Sequence, residues 1–157
     1  MEVRPMTSKD KPAVMQMLRD IPGFKPAEVD VAEEVLDSYL GDSTRSGYHV
    51  FVAEVGSSLA GYICYGPTPL TEGTWDIYWL AVTTNQQSQG IGKALLAFAE
   101  NIIKGTKGRL ALIETSSKPE YEATTYFYQA QGYELAGRIA DFYAPGDDKL
   151  VFQKRLR

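Results

Sequence analysis

Histidine and cysteine are nearly absent from this sequence of 157 residues, which contains one of each, His49 and Cys64. A single cysteine excludes a disulfide within the chain and a zinc site built from cysteines. Without a second histidine, the usual cluster of metal-ligating side chains is missing too. We therefore expect no bound metal. Cys64 lies in the apolar run 59–65, which predicts a small buried side chain.

Long apolar stretches and an excess of positive charge are also missing. No segment approaches the length of a membrane-spanning helix, and residues 1–5 lack the apolar core of a signal peptide. The net charge is −4 and the pI is about 5.0, which argues against a nucleic-acid interface. We expect a cytoplasmic protein that binds neither nucleic acid nor membrane. Its acidic surface favours a cationic partner.

What the sequence does contain is a polar loop with two glycines between an apolar run, Ile77–Val82, and an amphipathic run that begins at Ile91. At Gly90 and Gly92 no Cβ would keep a ligand away from the backbone. The first N–H groups of the following helix have no partner within that helix, and the helix dipole is positive there. A strand, a loop and a helix start in this order predict an anion site and favour a phosphate.

The spacing of the loop excludes two common phosphate-binding patterns. A Walker A loop would need glycine in place of Gln87 and a hydroxyl residue in place of Ala94. A dinucleotide-binding loop would need a small residue in place of Leu95. The remaining pattern is Gln87-x-x-Gly90-x-Gly92, and taken alone it also fits an ordinary turn between a strand and a helix.

The periodicity of the whole chain predicts a mixed α/β or α+β fold in one domain, residues 1–157. The composition agrees, since 44% hydrophobic and 23% charged residues suit a single globular core. We predict strands over 3–6, 49–55, 59–65, 74–82, 109–115, 133–143 and 149–155, and helices over 7–21, 27–40, 90–104 and 123–130.

This order of elements, with the glycine loop in its place, resembles the GNAT superfamily of N-acetyltransferases over nearly the whole chain. The segment 80–96 matches, without a gap, the corresponding segment of the ribosomal-protein N-terminal alanine acetyltransferases, and residues 127–133 approximate another of their segments. The resemblance implies a mixed, mostly antiparallel sheet of about seven strands flanked by four helices.

The resemblance also implies acetyl-coenzyme A as co-substrate. The backbone of Leu80, Ala81 and Val82 would pair with its pantetheine arm, and the loop would bind its pyrophosphate. The loop residues are Gln87, Ser88, Gln89, Gly90, Ile91, Gly92 and Lys93. An asparagine that contacts the cofactor in the family is absent here, and Ser117 is the nearest polar substitute.

The same matches carry the family's catalytic base onto Glu114 and its acid onto Tyr128. Only a neutral amine attacks a thioester, so a carboxylate at a strand end has a proton to remove, directly or through a water. A phenol can then protonate the departing thiolate. Asp76 and Tyr78 are alternative bases that would act through a water. Glu114 could instead be a solvent-exposed residue at a strand end, and Tyr128 could instead serve only to pack the core. No residue calls for a covalent intermediate, so we expect direct transfer in a ternary complex.

The acceptor is expected to be a small-molecule amine or a peptide amine. Tyr78 and the acidic turn segment with Asp141, Asp147 and Asp148 are the predicted acceptor-binding residues, although a solvated turn is the alternative for that segment. An inactive coenzyme A-binding regulatory module, or an acyltransferase with another acyl group or acceptor, is the competing function. The chain is expected to be a monomer or a homodimer.

Overall fold

The computed structural model describes residues 1–87 and 89–157, and in them a seven-stranded sheet carries helices on both faces. The strands are β1 Glu2–Pro5, β2 His49–Val55, β3 Ser58–Pro67, β4 Thr74–Val82, β5 Leu110–Ser116, β6 Glu134–Ala144 and β7 Asp147–Arg155. The helices are α1 Lys11–Arg19, α2 Pro26–Gly41, α3 Ser43–Ser46, α4 Ile91–Gly105 and α5 Glu122–Ala130. The strand order is β1-β2-β3-β4-β5-β7-β6, and every neighbouring pair is antiparallel except β4 and β5.

The fold class and the seven predicted strands are confirmed; most boundaries differ by one or two residues, and three differences are described here. A fifth helix, the single turn α3, follows α2 and is capped by the Asp42 carboxylate, which accepts a hydrogen bond from Arg45 N at 3.2 Å. The first predicted helix is divided into a 3-10 turn, Ser8–Asp10, and α1. The last strand begins at Asp147, two residues earlier than predicted, because Pro145 and Gly146 alone make the turn.

The core consists of two clusters, one on each face of the sheet. One cluster packs α4 and α5 on the sheet, and the other packs α1 and α2 on the opposite face. The central strand β3 contributes to both, since Tyr62 and Cys64 face α1 and α2 while Ile63 and Tyr65 belong to the other cluster. This alternation is the period of two expected of a strand. It explains why the run 59–65 is apolar throughout, and it confirms that Cys64 is buried.

The parallel strands β4 and β5 pair over only part of their length. Their register joins Thr74–Ile77 to residues 110–113, and the pairing stops there. Beyond this point β4 remains paired with β3 as far as Val82, while β5 remains paired with β7 as far as Ser116. A register shift next to Tyr78 marks a β-bulge in the β3–β4 ladder, a feature that bends strands and re-aims side chains. The sheet is therefore split at its centre.

Among the helices of residues 1–87 and 89–157, none combines the length and apolar character that crossing a membrane requires.

Candidate active site

A cleft of about 1100 Å³ opens where β4 and β5 separate. Residues 76–82 of β4 form one wall, and Leu112 and residues 114–116 of β5 form the other. The connection between α1 and α2 closes one end, and α5 contributes Thr124 and Tyr128. The cleft thus lies at the carboxyl ends of the parallel strand pair, the usual position of ligand sites in open α/β sheets.

One edge of β4 is open toward this cleft. Leu80, Ala81 and Val82 pair with β3 on one side and have no strand partner on the other among the described residues. All three line the cleft. Because peptide groups alternate in direction along a strand, this edge presents both N–H donors and C=O acceptors. It can bind an extended molecule that contains amide groups, as an additional strand would.

The glycine loop leads from this strand edge into α4. Gly90 is the N-cap residue and has a φ of 79°, in the left-handed region that favours glycine. The first helical hydrogen bond runs from Ala94 N to Gly90 O at 3.0 Å, so the N–H groups of Ile91, Gly92 and Lys93 precede it. Together with the helix dipole they make this end of α4 suitable for an anion.

Close packing explains the second glycine of the loop. A Cβ built on Gly92 would lie 3.3 Å from a ring carbon of Phe127 on α5, whereas a Cβ on Gly90 would meet none of the described residues within 4 Å. Gly90 is thus required for its backbone conformation and Gly92 for the approach of α5.

The other predicted loop residues differ in exposure. Gln87 is exposed, lines the cleft and donates from Nε2 to Val82 O at 3.4 Å. Gln89 and Lys93 are exposed, whereas the Ile91 side chain is buried, which leaves only its backbone for a ligand. Ser88 lies outside the described residues.

Tyr128 lines the cleft although it is only 6% exposed. Its ring contacts Phe127 and Tyr133 edge to face, with centroids 5.5 and 6.1 Å away. Burial alone raises the pKa of its hydroxyl well above the usual value. Within the described part of the chain this hydroxyl makes no hydrogen bond to another group. A buried proton donor that is left for a ligand is what a catalytic acid requires.

Glu114 lines the cleft at the point where β5 leaves β4, and its side chain is 48% exposed. Its Oε2 lies 3.0 Å from Lys149 Nζ on β7, and that ammonium also lies 4.5 Å from the centre of the Phe142 ring. No pattern in the sequence indicates this lysine. The carboxylate faces the cleft with a cation beside it.

The two alternative bases also line the cleft. Asp76 accepts a hydrogen bond from the Thr68 hydroxyl at 2.7 Å. Tyr78, at the bulge, is 37% exposed and lies edge to face with Tyr48 at 5.6 Å. Burial, followed by the charge of Asp76, raises the pKa of Tyr78 to about 12. Tyr78 is therefore protonated at neutral pH, which suits a hydrogen-bond donor better than a base.

Ser117, the predicted substitute for the family asparagine, is not among the cleft-lining residues. Its hydroxyl accepts a hydrogen bond from Asp148 N at 2.8 Å, and its own N–H donates to Asp148 O at 3.0 Å. These contacts hold Ser117 against the start of β7, beside a shallow depression next to α5. The neighbouring residue, Ser116, is the one that faces the cleft.

The three carboxylates predicted for the acceptor site are not brought together. Asp147 is buried, lines the cleft, hydrogen bonds to the Ser116 hydroxyl and lies 3.6 Å from Lys118 Nζ. Asp148, the next residue of β7, faces away and pairs with Arg138 at 2.6 Å. The Asp141 carboxylate accepts from Gly146 N at 2.7 Å and so holds the hairpin together. The reason is that 147 and 148 belong to the strand, where successive side chains alternate faces.

The cleft residues that were not predicted from the sequence include Glu28, Glu120, Tyr121 and Tyr143. They come from α2, from the 3-10 turn before α5, and from β6. Only Tyr143 was within reach of sequence analysis, because it directly precedes the predicted turn. The others carry no local pattern that marks them.

Comparisons with known proteins agree with this geometry. Residues 46–135, more than half of the chain, match the family model described as Acetyltransferase (GNAT) domain. The chain is 38% identical to a solved structure from Desulfovibrio desulfuricans that is assigned to the GNAT acetyltransferases, over 99% of both chains, with a TM-score of 0.95. No curated protein matches the sequence.

Two more distant structures share the fold. A ribosomal-protein-alanine N-acetyltransferase from Brucella melitensis is 22% identical over 99% of each chain, with a TM-score of 0.78. An aminoglycoside 6'-N-acetyltransferase complexed with coenzyme A is 16% identical over 100% of this chain and 98% of that one, with a TM-score of 0.72. At these identities the similarity concerns the fold alone.

Proposed function

Because the chain belongs to the GNAT family of acetyltransferases, we propose that residues 1–157 form one catalytic domain that moves an acetyl group from acetyl-coenzyme A to a primary amine. The observation that carries this proposal is the continuity between the open edge of β4 and the anion site at the start of α4. An extended amide-containing chain that ends in a pyrophosphate fits both, and coenzyme A has this composition.

The described residues fit the cofactor at both ends. The β4 edge at Leu80, Ala81 and Val82 would hold the pantetheine amides. The first backbone N–H groups of α4, from Ile91 to Lys93, would hold the phosphates, with space beside Gly90. When bound, the cofactor supplies the acetyl group as an activated thioester.

Proton movement is the task that we assign to the protein. An aliphatic amine is mostly protonated near neutral pH and must lose a proton before it can attack. Glu114, half exposed at the point where the strands part, takes this proton directly or through a water, and Asp76 is the alternative. Tyr128 stays protonated because burial raises its pKa, so its hydroxyl has a proton to donate to the leaving sulfur.

A thiol-release assay with acetyl-coenzyme A and a panel of amines tests the function, together with a thermal shift on addition of coenzyme A. We expect a shift, turnover on at least one class of amine, and a loss of about a hundredfold in kcat for Glu114→Gln with the thermal shift unchanged. Glu34→Gln is the matched control, since Glu34 is an exposed carboxylate of α2 that does not line the cleft.

The two observations separate the candidate functions. A thermal shift without turnover on any amine would identify a coenzyme A-binding regulatory module instead. If there is neither a thermal shift nor turnover, the assignment of the loop and the β4 edge to coenzyme A binding is contradicted.

A further inference from the structure

The charge of the chain is concentrated in the cleft. Six carboxylates and two lysines line the cleft. The carboxylates are Asp20, Glu28, Asp76, Glu114, Glu120 and Asp147, and the lysines are Lys25 and Lys118. The whole chain has 20 acidic and 16 basic residues, so fourteen of each remain outside the cleft-lining set. Lys149 does not line the cleft but pairs with Glu114, so most of the excess negative charge of the molecule lies in the cleft, where its field is least screened by water.

Part of this charge surrounds two tyrosines. We call Glu28, Glu120, Tyr121, Tyr143 and Asp147 the acidic pocket; all five line the cleft. Burial, and then the charges of Glu28, Glu120 and Asp147, raise the pKa of Tyr121 to about 12. Burial also raises the pKa of Tyr143, followed by the charges of Glu114, Asp147 and Glu28. Aromatic faces beside carboxylates form a favourable environment for an organic cation.

The acidic pocket is held by contacts from separate elements. The Glu120 carboxylate packs on the backbone at Gly23, where a Cβ would lie 3.2 Å from its Oε2. Asp147 is fixed by the Ser116 hydroxyl and by Lys118. Glu28, which is half-buried, lies in the first turn of α2. Lys118 offsets part of the charge of Asp147, and Lys149 offsets part of that of Glu114, whereas no salt bridge among the described residues involves Glu28 or Glu120.

The cofactor does not account for this charge. Coenzyme A is an anion, and carboxylates near an anion weaken its binding. Its phosphates are assigned to the start of α4, and no acidic residue stands in the first turn of that helix. The negative charge must therefore favour the other substrate.

We infer that the acceptor amine carries a second positive charge, as an alkyl diamine does, and that the acidic pocket binds this second group while Glu114 faces the amine to be acetylated. The inference rests on the proposed function for the identity of the transfer site. It differs from the sequence-based expectation in its residues, because Asp141 and Asp148 lie outside the cleft.

Isothermal titration calorimetry with an alkyl diamine and with the amino alcohol of equal chain length tests the inference, with and without coenzyme A. The two ligands differ only in the second charge. We expect the wild-type protein to bind the diamine about tenfold more tightly, and Glu28→Gln and Glu120→Gln each to reduce this preference by about threefold to fivefold. Glu34→Gln, on the exposed side of α2, should leave it unchanged.

Equal affinity for the two ligands, or binding of neither, would overturn the inference. The inference is also overturned if Glu28→Gln keeps the full preference for the diamine over the amino alcohol while Glu34→Gln loses it. Calorimetry needs no turnover, so these outcomes are separate from the thiol-release assay. That assay can still show acetylation of a monoamine by a protein that lacks the preference for a diamine.

Discussion

At the scale of single residues, the cleft contains side chains whose chemistry depends on burial. Tyr128 is nearly inaccessible, yet its hydroxyl reaches the cleft and has no hydrogen-bond partner among the described residues. Since Tyr128 lines the cleft, a ligand bound there can complete the hydrogen bond of this hydroxyl. The same apolar surroundings that raise its pKa also keep its proton available at neutral pH.

We predict that Tyr128→Phe lowers kcat in the thiol-release assay by about a hundredfold, because the proton donor is lost. Coenzyme A binding and the melting temperature should change little, since the ring remains and no protein hydrogen bond is broken. Tyr126→Phe is the matched control, because Tyr126 is 62% exposed on the same helix and donates a hydrogen bond to Glu122. Equal activity of the two variants would remove Tyr128 from the mechanism.

The predicted acceptor residues show how far sequence analysis reaches at this scale. It located the acidic hairpin, and one of its carboxylates, Asp147, does line the cleft. It could not separate Asp147 from Asp148, because that depends on where β7 begins and hence on which face each side chain takes. Asp141 has a φ of 57° and closes the hairpin, a role that only the bulge next to it explains.

At the scale of elements, the unit formed by β4, the glycine loop and α4 organises the site. The apolar run, the two glycines and the amphipathic helix are local features, and the structure has each of them where the sequence predicts it. The split between β4 and β5 is not local. It follows from the bulge at Tyr78 and from the partners that each strand has on its other side.

We predict that Gly90→Ala weakens coenzyme A binding by about tenfold. The reason is that an alanine at a φ of 79° costs roughly 1–2 kcal/mol, so the loop shifts away from the conformation that presents its N–H groups. Calorimetry with coenzyme A measures the effect. Gly105→Ala, at the end of the same helix with open space around it, is the control and should bind normally. Normal binding by Gly90→Ala would show that the left-handed conformation is dispensable.

β6 forms an outer edge of the sheet. β6 pairs with β7 on one side, and the exposed side chains along it include Leu135, Ile139 and Phe142. The β6–β7 ladder is interrupted between Leu135 and Gly137 and again between Ile139 and Ala144. Bulges on an edge strand oppose its pairing with another chain.

At the scale of the whole molecule, a partly buried charge network ties the first strand to the rest of the fold. Asp10 is 7% exposed and accepts hydrogen bonds from Arg4 Nη1 at 2.8 Å, Arg4 Nη2 at 2.9 Å and Thr7 N at 2.8 Å. Arg4 also bonds to Glu54 on β2. The hydrogen bonds from Arg4, followed by that from Thr7 N, outweigh desolvation and lower the pKa of Asp10.

We predict that Asp10→Asn lowers the free energy of unfolding by about 2 kcal/mol at neutral pH. A lowered folded-state pKa contributes stability above the unfolded-state pKa, about 4, and that stability is lost as pH falls through the folded-state value. The difference between wild type and variant should therefore shrink below about pH 4. Denaturant unfolding of the wild type and the variant, at neutral pH and below about pH 4, measures this difference in the free energy of unfolding. Asp30→Asn, on the exposed face of α2, should be neutral, and a pH-independent difference would contradict the ionic origin.

The sequence predicts the seven strands, the four longer helices, the buried runs and the glycine loop, because hydrophobic period and glycine conformation act over a few neighbouring residues, but it does not predict the single turn α3. It also limited the chemistry, since one histidine and one cysteine leave carboxylates and tyrosines as the candidate proton carriers. Tertiary structure alone decided which of these groups meet. Glu28, Glu120 and Asp147 are far apart in the chain, and Lys149 reaches Glu114 only through the β5–β7 register. Such contacts depend on strand order and on the face that each side chain takes, which no local pattern specifies.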